Sequence, residues 1–306
     1  MGIISIIFPV LMMMVLGKIL GMKGILDDHT VGSLKKLIAD IMLPVTLFDA
    51  ILQTVFDGRS LLIILAVFIL FTLMLITARA LRKHFGEFSG IAPYLCVSIE
   101  GGMMGYALYT SIYGSGELGN YLKIDLGNIF FAFTVFLFMI KTDLSGSRDL
   151  KKIFRGFITS PIVIAVALGF ILSLTGVGQL LISSGFYQLY SSVVGMVTAP
   201  MGALVLLTVG YGLEFSREIM GQVIKVSALR LLLYMLALGA MFIVFREDLE
   251  DARLRYALIL AFFMPGQFIT PVYVDEQRQL KFVSTQLSFY SLISIAAFIV
   301  ISIMAA

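Results

Sequence analysis

Apolar stretches long enough to cross a bilayer follow one another along the chain, separated by short connections that carry nearly all of the charge. At roughly 20 apolar residues per crossing, the pattern divides into ten spans, at 2–20, 34–55, 61–80, 90–113, 121–140, 157–174, 188–210, 223–245, 256–273 and 282–303. Two of them break near the middle. Glu100, Gly101, Gly102, Met103, Met104 and Gly105 interrupt the fourth, and Met264, Pro265, Gly266, Gln267, Phe268, Ile269, Thr270 and Pro271 interrupt the ninth. Non-helical backbone at membrane depth persists only where it is buried in protein or lines a wet cavity, and a matched pair of breaks marks the substrate site of a secondary transporter.

The chain also repeats. The run from Pro9 to Leu20 aligns without a gap with the run from Pro161 to Leu172, so that proline, Leu-Gly and Ile-Leu coincide. Leu43-Pro44 and the terminal Thr54-Val55-Phe56-Asp57-Gly58 of the second span match Ala199-Pro200 and Thr208-Val209-Gly210-Tyr211-Gly212 of the seventh. The expected fold is therefore all-α and integral to the membrane, with a first five-helix repeat at 1–140, a cytoplasmic linker at 141–156 and a second repeat at 157–306. Because five is odd, the copies insert in opposite directions, an inverted repeat in which broken spans four and nine are counterparts.

Composition agrees with this pattern: 59% of the 306 residues are hydrophobic and 13% charged, with a mean hydropathy of +1.02, whereas soluble domains hold about 25% charged residues. The net charge of +3 is spread over loops rather than gathered in a patch, so no nucleic-acid partner is expected. Lone Cys96 permits no internal disulfide and reads as a core residue, and the first span lacks the basic leader of a signal peptide. With the N-terminus outside, fifteen Lys and Arg residues fall in cytoplasmic connections and five in outer ones. That asymmetry predicts a multi-pass plasma-membrane protein with both termini extracytoplasmic.

The candidate chemistry lies at the breaks. A carboxylate at mid-span is costly and functional by default, which singles out Glu100; its alternative is a neutral structural acid. Gln267 is the amide at the matching break. Breaking a span frees N–H groups at the start of one half-helix and carbonyls at the end of the other. Gly101, Gly102, Met103 and Gly105, with Pro265, Gly266, Gln267 and Thr270, thus form an expected substrate site with positive ends for an anion, while the carbonyl ends and Glu100 suit H⁺ or Na⁺. The glycines also read as letting the two breaks cross closely. A sodium ion is expected, if bound, near Glu100 and Gln267. Asp40, one turn after Lys36, reads equally as an ion pair or a proton site; Asp125 and Asn128, one turn apart in the fifth span, complete the coupling candidates. Lys18 and Arg230 read as snorkelling to the cytoplasmic side. Thr208 to Gly212 matches a potassium-channel filter string, but it closes a full span and reads as coincidence. No Walker loop, metal-ligand spacing or Ser/His/Asp arrangement appears, so neither an enzyme nor a cofactor is expected.

Leu43-Pro44, Glu100-Gly101-Gly102-Met103-Met104-Gly105-Tyr106, Ile124-Asp125-Leu126-Gly127-Asn128 and Met264-Pro265-Gly266 together resemble the auxin efflux carrier family, related to plant PIN carriers and in fold to bile acid sodium symporters. The resemblance covers the whole chain and departs at the first break, where Glu100 and Gly101 replace an amide-led start. It implies a scaffold of spans 1, 2, 6 and 7, a mobile unit of spans 3–5 and 8–10, a homodimer, elevator-type alternating access and small organic anions (malate-, malonate- or auxin-like) as substrates. The expected function is a secondary carrier of a small organic solute coupled to H⁺, to Na⁺ or to the membrane potential; the rival readings are an ion channel and a non-transporting sensor.

Overall fold

The computed structural model describes residues 2–144, 155–156, 158–274 and 276–305. Most of the linker expected at 141–156, with Arg148, Lys151 and Lys152, lies outside the described residues, as does Phe157 at the head of the expected sixth span. Among the described residues the regular structure is entirely helical.

α1 (Gly2–Met22) is followed by α2 (Asp28–Leu37), which runs through a π turn (Ile38–Met42) into α3 (Leu43–Gln53). Pro44 has no N–H to give to the carbonyl of Asp40, so the ladder slips by one residue just ahead of it. α4 (Gly58–Ala80) crosses next; Asp27 and Asp57 cap α2 and α4 by accepting from the N–H of Thr30 and Ser60. The fourth span holds one helical turn, α5 (Ala92–Leu95), then irregular chain, a π turn (Gly101–Gly105) and α6 (Tyr106–Tyr113). α7 (Leu118–Phe131) continues through a third π turn (Ala132–Phe136) into α8 (Leu137–Leu144).

The second half comprises α9 (Pro161–Leu174), α10 (Val177–Ser183), α11 (Tyr187–Thr198), α12 (Met201–Tyr211), α13 (Met220–Val244), α14 (Ala252–Phe262) and α15 (Gln277–Ala305). The ninth span departs from expectation, because α14 ends at Phe262 and only a 3₁₀ turn (Thr270–Tyr273) follows the break. Pro265 and Pro271 remove two N–H donors within seven residues, and too little chain remains before α15 to build a second half-helix.

Among the described residues six helical stretches are long and apolar enough to cross a membrane: Ile4–Met22, Gly58–Ala80, Ser115–Leu144, Tyr187–Tyr211, Met220–Val244 and Gln277–Ala305. The chain is a multi-pass helical membrane protein.

The helices pack in a regular way. α1 runs along α12 and α9 along α3, while α4 lies on α7 and α13 on α15. The first two pairs come close: a Cβ at Gly17 would overlap the carbonyl of Leu207, one at Gly210 would overlap that of Met14, and one at Gly169 would stand 3.0 Å from Ile51. Small residues let helices touch backbone to backbone where lipid supplies no hydrophobic drive for association. This also disposes of the filter string. Thr208 to Tyr211 form the last turn of α12, so their carbonyls follow the helix ladder rather than line a pore.

Candidate functional site

The two breaks meet. The N–H of Glu100 donates to the carbonyl of Pro265 at 2.8 Å, a backbone bond joining the fourth span to the ninth. The Glu100 carboxylate then spans both: Oε1 accepts from the N–H of Met103 at 3.2 Å and Oε2 from that of Phe268 at 2.7 Å. One N–H at each break, of the ends expected to greet an anionic substrate, is thus already held by a carboxylate of the chain. A carboxylate immediately ahead of a half-helix is an N-cap, and this one also holds a backbone N–H of the second break.

The carbonyl ends are held as well. The guanidinium of Arg230, in the middle of α13, donates to the carbonyls of Leu95 (3.0 Å), Val97 (3.1 Å), Ser98 (2.6 Å) and Met264 (2.8 Å). It lies between the rings of Tyr234 and Tyr290, 4.4 and 4.7 Å from their centroids, and is 0% exposed. Snorkelling is therefore the wrong reading for Arg230. Ten residues separate it from the start of α13, about 15 Å of helix, which is farther than the side chain reaches. Lys18 does reach an end, donating to the carbonyl of Leu213 at 2.6 Å.

Between Leu95 and Gly101 the chain leaves the helix, and Ser98 has a φ of 64°, unusual for a residue with a side chain. Neighbours over-determine it. Tyr234 donates to its carbonyl at 2.6 Å, and its hydroxyl donates to Asn128 Oδ1 at 2.8 Å. The Asn128 amide also accepts from the N–H of Ile99 and donates to its carbonyl, both at 3.1 Å, so a side chain on α7 satisfies both backbone groups of a residue outside any helix. Asp125, one turn earlier, accepts from the Tyr106 hydroxyl at 2.6 Å and from Asn128 Nδ2 at 2.9 Å.

The glycines serve a different contact from the one expected. A Cβ at Gly101 would overlap the Asp125 carboxylate, one at Gly105 the Tyr121 hydroxyl, and one at Gly102 would stand 2.7 Å from Leu43. They lay the first break onto α7 and α3, not onto the second break. Gly266 is the roomier residue, its nearest neighbour Leu287 at 3.5 Å.

Beside the crossing lies a cavity of about 600 Å³. Of the expected substrate residues, Glu100, Gly101, Gly102, Met103 and Gln267 line it; Gly105, Pro265, Gly266 and Thr270 do not. Thr270 is fully buried and donates through both N–H and hydroxyl to the carbonyl of Gln267 (3.0 and 2.7 Å), shaping the turn that holds the amide. Asp40, Asp125 and Asn128 also contribute to the wall, as do Lys35 and Lys36; among the described residues Asp40 forms no ion pair with Lys36. All three π turns contribute wall residues, which fits the tendency of such turns to mark functional sites.

A sodium ion near Glu100 and Gln267 fits poorly. The carbonyls of Leu95, Val97, Ser98 and Met264 face Arg230, that of Pro265 faces Glu100 N–H, and that of Ile99 faces Asn128. Among the described residues no group of three His, Cys, Asp or Glu could hold a metal ion.

Sequence reasoning missed Arg230, Ser98, Tyr106 and Tyr234 as parts of this centre. The depth of Arg230 in its span and a tyrosine one turn later were the available signals.

No protein-family model matches the chain. It is similar over 308 aligned residues, at 23% identity, to a protein of Methanothermobacter thermautotrophicus named "Uncharacterized transporter"; the similarity covers 95% of this chain and 97% of that one.

Proposed function

We propose that the chain is a secondary carrier of a small organic solute, working by alternating access around the crossing of its two broken spans. The observation that carries this is the Glu100–Pro265 backbone bond beside a cavity of about 600 Å³. Backbone left unwound at membrane depth is retained where it borders a wet site, and inverted-repeat carriers place theirs at the midplane. The named relative, a transporter matched nearly end to end, supports the same class.

Reciprocal packing supports ten spans in a 5+5 inverted repeat. Aligning Pro9 with Pro161 pairs Gly17 with Gly169, and aligning Pro44 with Pro200 pairs Ile51 with Leu207. Gly17 packs on Leu207 and Gly169 on Ile51, the same contact made twice with the roles of the halves exchanged. Spans 1, 2, 6 and 7 then form the scaffold and spans 3–5 and 8–10 the moving unit, as in an elevator of the auxin efflux carrier type, with the scaffold as the dimer face.

With the orientation set by the basic residues, the large cavity opens to the cytoplasm, and a smaller one of about 250 Å³, lined by Asp49, Gln53, Ser115 and Ser191 among others, faces out. This is an inward-facing state. Lys35 and Lys36 offer counter-charge to a carboxylate, Gln267 offers a neutral hydrogen-bonding group, and Glu100, Asp40 and Asp125 are the groups available to a proton. The drive is a proton gradient or the membrane potential.

Flux in proteoliposomes over a panel of mono- and dicarboxylates tests this. Saturable uptake with counterflow is expected; linear, non-saturating flux would mean a channel, and no flux of any panel member with no counterflow would remove the carrier reading. Glu100→Gln should retain exchange but weaken the response to an imposed pH gradient.

A further inference from the structure

Arg230 sits where the crossing gathers its carbonyl ends, and we propose that its guanidinium is a built-in replacement for a coupling sodium ion, so that the protein neither binds nor uses sodium there. The proposal sharpens the carrier reading by naming what fills the cation seat.

Interrupting a membrane helix leaves carbonyls at the end of its first half without partners. These carry the negative end of the helix dipole, and discontinuous helices in carriers use them to bind monovalent cations. Here four carbonyl oxygens, three from the first break and one from the second, converge on the two terminal guanidinium nitrogens at 2.6–3.1 Å. Two aromatic faces add to the shell, those of Tyr234 and Tyr290, and the guanidinium Nε is buried without a hydrogen-bond partner among the described residues. Among the described residues no carboxylate forms an ion pair with Arg230. Carbonyl dipoles and π faces without a partner acid are the surroundings of a desolvated monovalent cation, not of an arginine recruited to a salt bridge.

A tethered cation differs from a bound one in one respect that matters for transport. It cannot dissociate, so the two breaks stay joined through every turnover and a sodium gradient finds no vacancy to fill. A second cation added among the same oxygens would stand within a few ångströms of a fixed positive charge in a low-dielectric site.

Thermal unfolding of the purified protein in choline, sodium, lithium and potassium chloride at equal ionic strength tests this without any solute, and so stands apart from the outcome of the flux assay. The wild-type Tm should be the same in all four salts. Arg230→Met removes the charge and keeps much of the apolar stem. Its Tm in choline should fall by on the order of 10 °C, and part of that loss should return saturably with sodium or lithium as the small cation enters the freed carbonyls. Arg230→Lys keeps a charge that reaches fewer carbonyls; an intermediate Tm indifferent to sodium is expected. Saturable sodium stabilisation of the wild type overturns the proposal, as does an Arg230→Met protein whose Tm is unchanged or is lowered equally in all four salts. If Arg230→Met cannot be recovered folded in choline, recovery in sodium or lithium supports the proposal and failure in every salt overturns it.

Discussion

Removing the Glu100 carboxylate should loosen both breaks at once. Two backbone donors point at it, the N–H of Phe268 at 2.7 Å and that of Met103 at 3.2 Å. A hydrogen bond to a charged group contributes about 1.5–3 kcal/mol, which gives an upper range of about 3–6 kcal/mol for Glu100→Ala. The longer Met103 contact places the expected loss near the lower end, at about 3–4 kcal/mol. Glu100→Gln keeps one acceptor and turns an NH₂ toward the other donor, so about 1–3 kcal/mol is expected. Thermal unfolding in detergent reads both values. The same experiment carries a control for mechanism: in Glu100→Ala the two donors face freed space, and formate or acetate should restore part of the Tm relative to chloride at equal ionic strength. Glu100→Gln fills that space and should not respond. If Glu100→Ala unfolds within about 0.5 kcal/mol of wild type, or if carboxylates and chloride act alike on it, then Glu100 does not hold the breaks together.

Other substitutions test the frame around the crossing. Gly210→Ala sets a Cβ into the carbonyl of Met14 and should cost at least about 1–3 kcal/mol as overpacking, whereas Gly58→Ala, which meets open space, should leave folded yield unchanged by size-exclusion profile. Asn128→Leu strips the N–H and carbonyl of Ile99 of their partners, at about 1–3 kcal/mol for each orphaned group, and hydrogen exchange should show Ile99 losing protection while α1 keeps its own. Hydrogen bonds from Ser60 hold the Asp57 carboxyl below its ordinary value; a lowered folded pKa stabilises above the unfolded value and is lost as pH falls through the folded one. The first turn of α4 should therefore fray on acidification in the wild type, and Asp57→Asn, which still caps, should show no such pH dependence. Finally, a cysteine at Ser147 in a Cys96→Ala background should label only with a membrane-permeant reagent; ready labelling by an impermeant one would reverse the topology.

How much of this was legible in the sequence depended on range. The long apolar helices and both breaks are local patterns, written in hydropathy, proline and glycine. Glu100 was legible because a charge at mid-span is conspicuous; its role in joining the two breaks was not, because one of its two donors, Phe268, lies 168 residues away. The same distance effect hid Arg230. Read alone, it is a long cationic side chain in an apolar helix, for which snorkelling is the ordinary outcome, and only the approach of Leu95, Val97, Ser98 and Met264 from two other elements gives it another role. The truncated second half of the ninth span was a failure of a different kind. The pattern from Ile269 to Tyr273 is apolar enough to read as helix, but Pro271 and the shortness of the segment leave room for one 3₁₀ turn.

Taken together, Glu100 and Arg230 change what a solute has to do. In an open crossing, the free N–H ends and free carbonyl ends are themselves the recognition elements, and solute and coupling ion satisfy them on binding. Here a carboxylate of the chain already meets one N–H at each break and a guanidinium meets four carbonyls, so the crossing is held together before any solute arrives. On the proposed carrier reading, recognition falls to groups in the cavity wall that are not committed to backbone: the Gln267 carboxamide, Lys35 and Lys36, and Asp40. Two of these four positions are cationic, one anionic and one neutral, which on that reading would suit a carboxylate that also offers a hydrogen-bond donor. Substitutions at Gln267 or Lys36 should accordingly change which solute is carried and how tightly, leaving Tm nearly untouched, whereas substitutions at Glu100 or Arg230 should act first on Tm. A Gln267→Ala protein that lost stability as Glu100→Ala does, with its solute affinity intact, would place recognition back at the crossing itself.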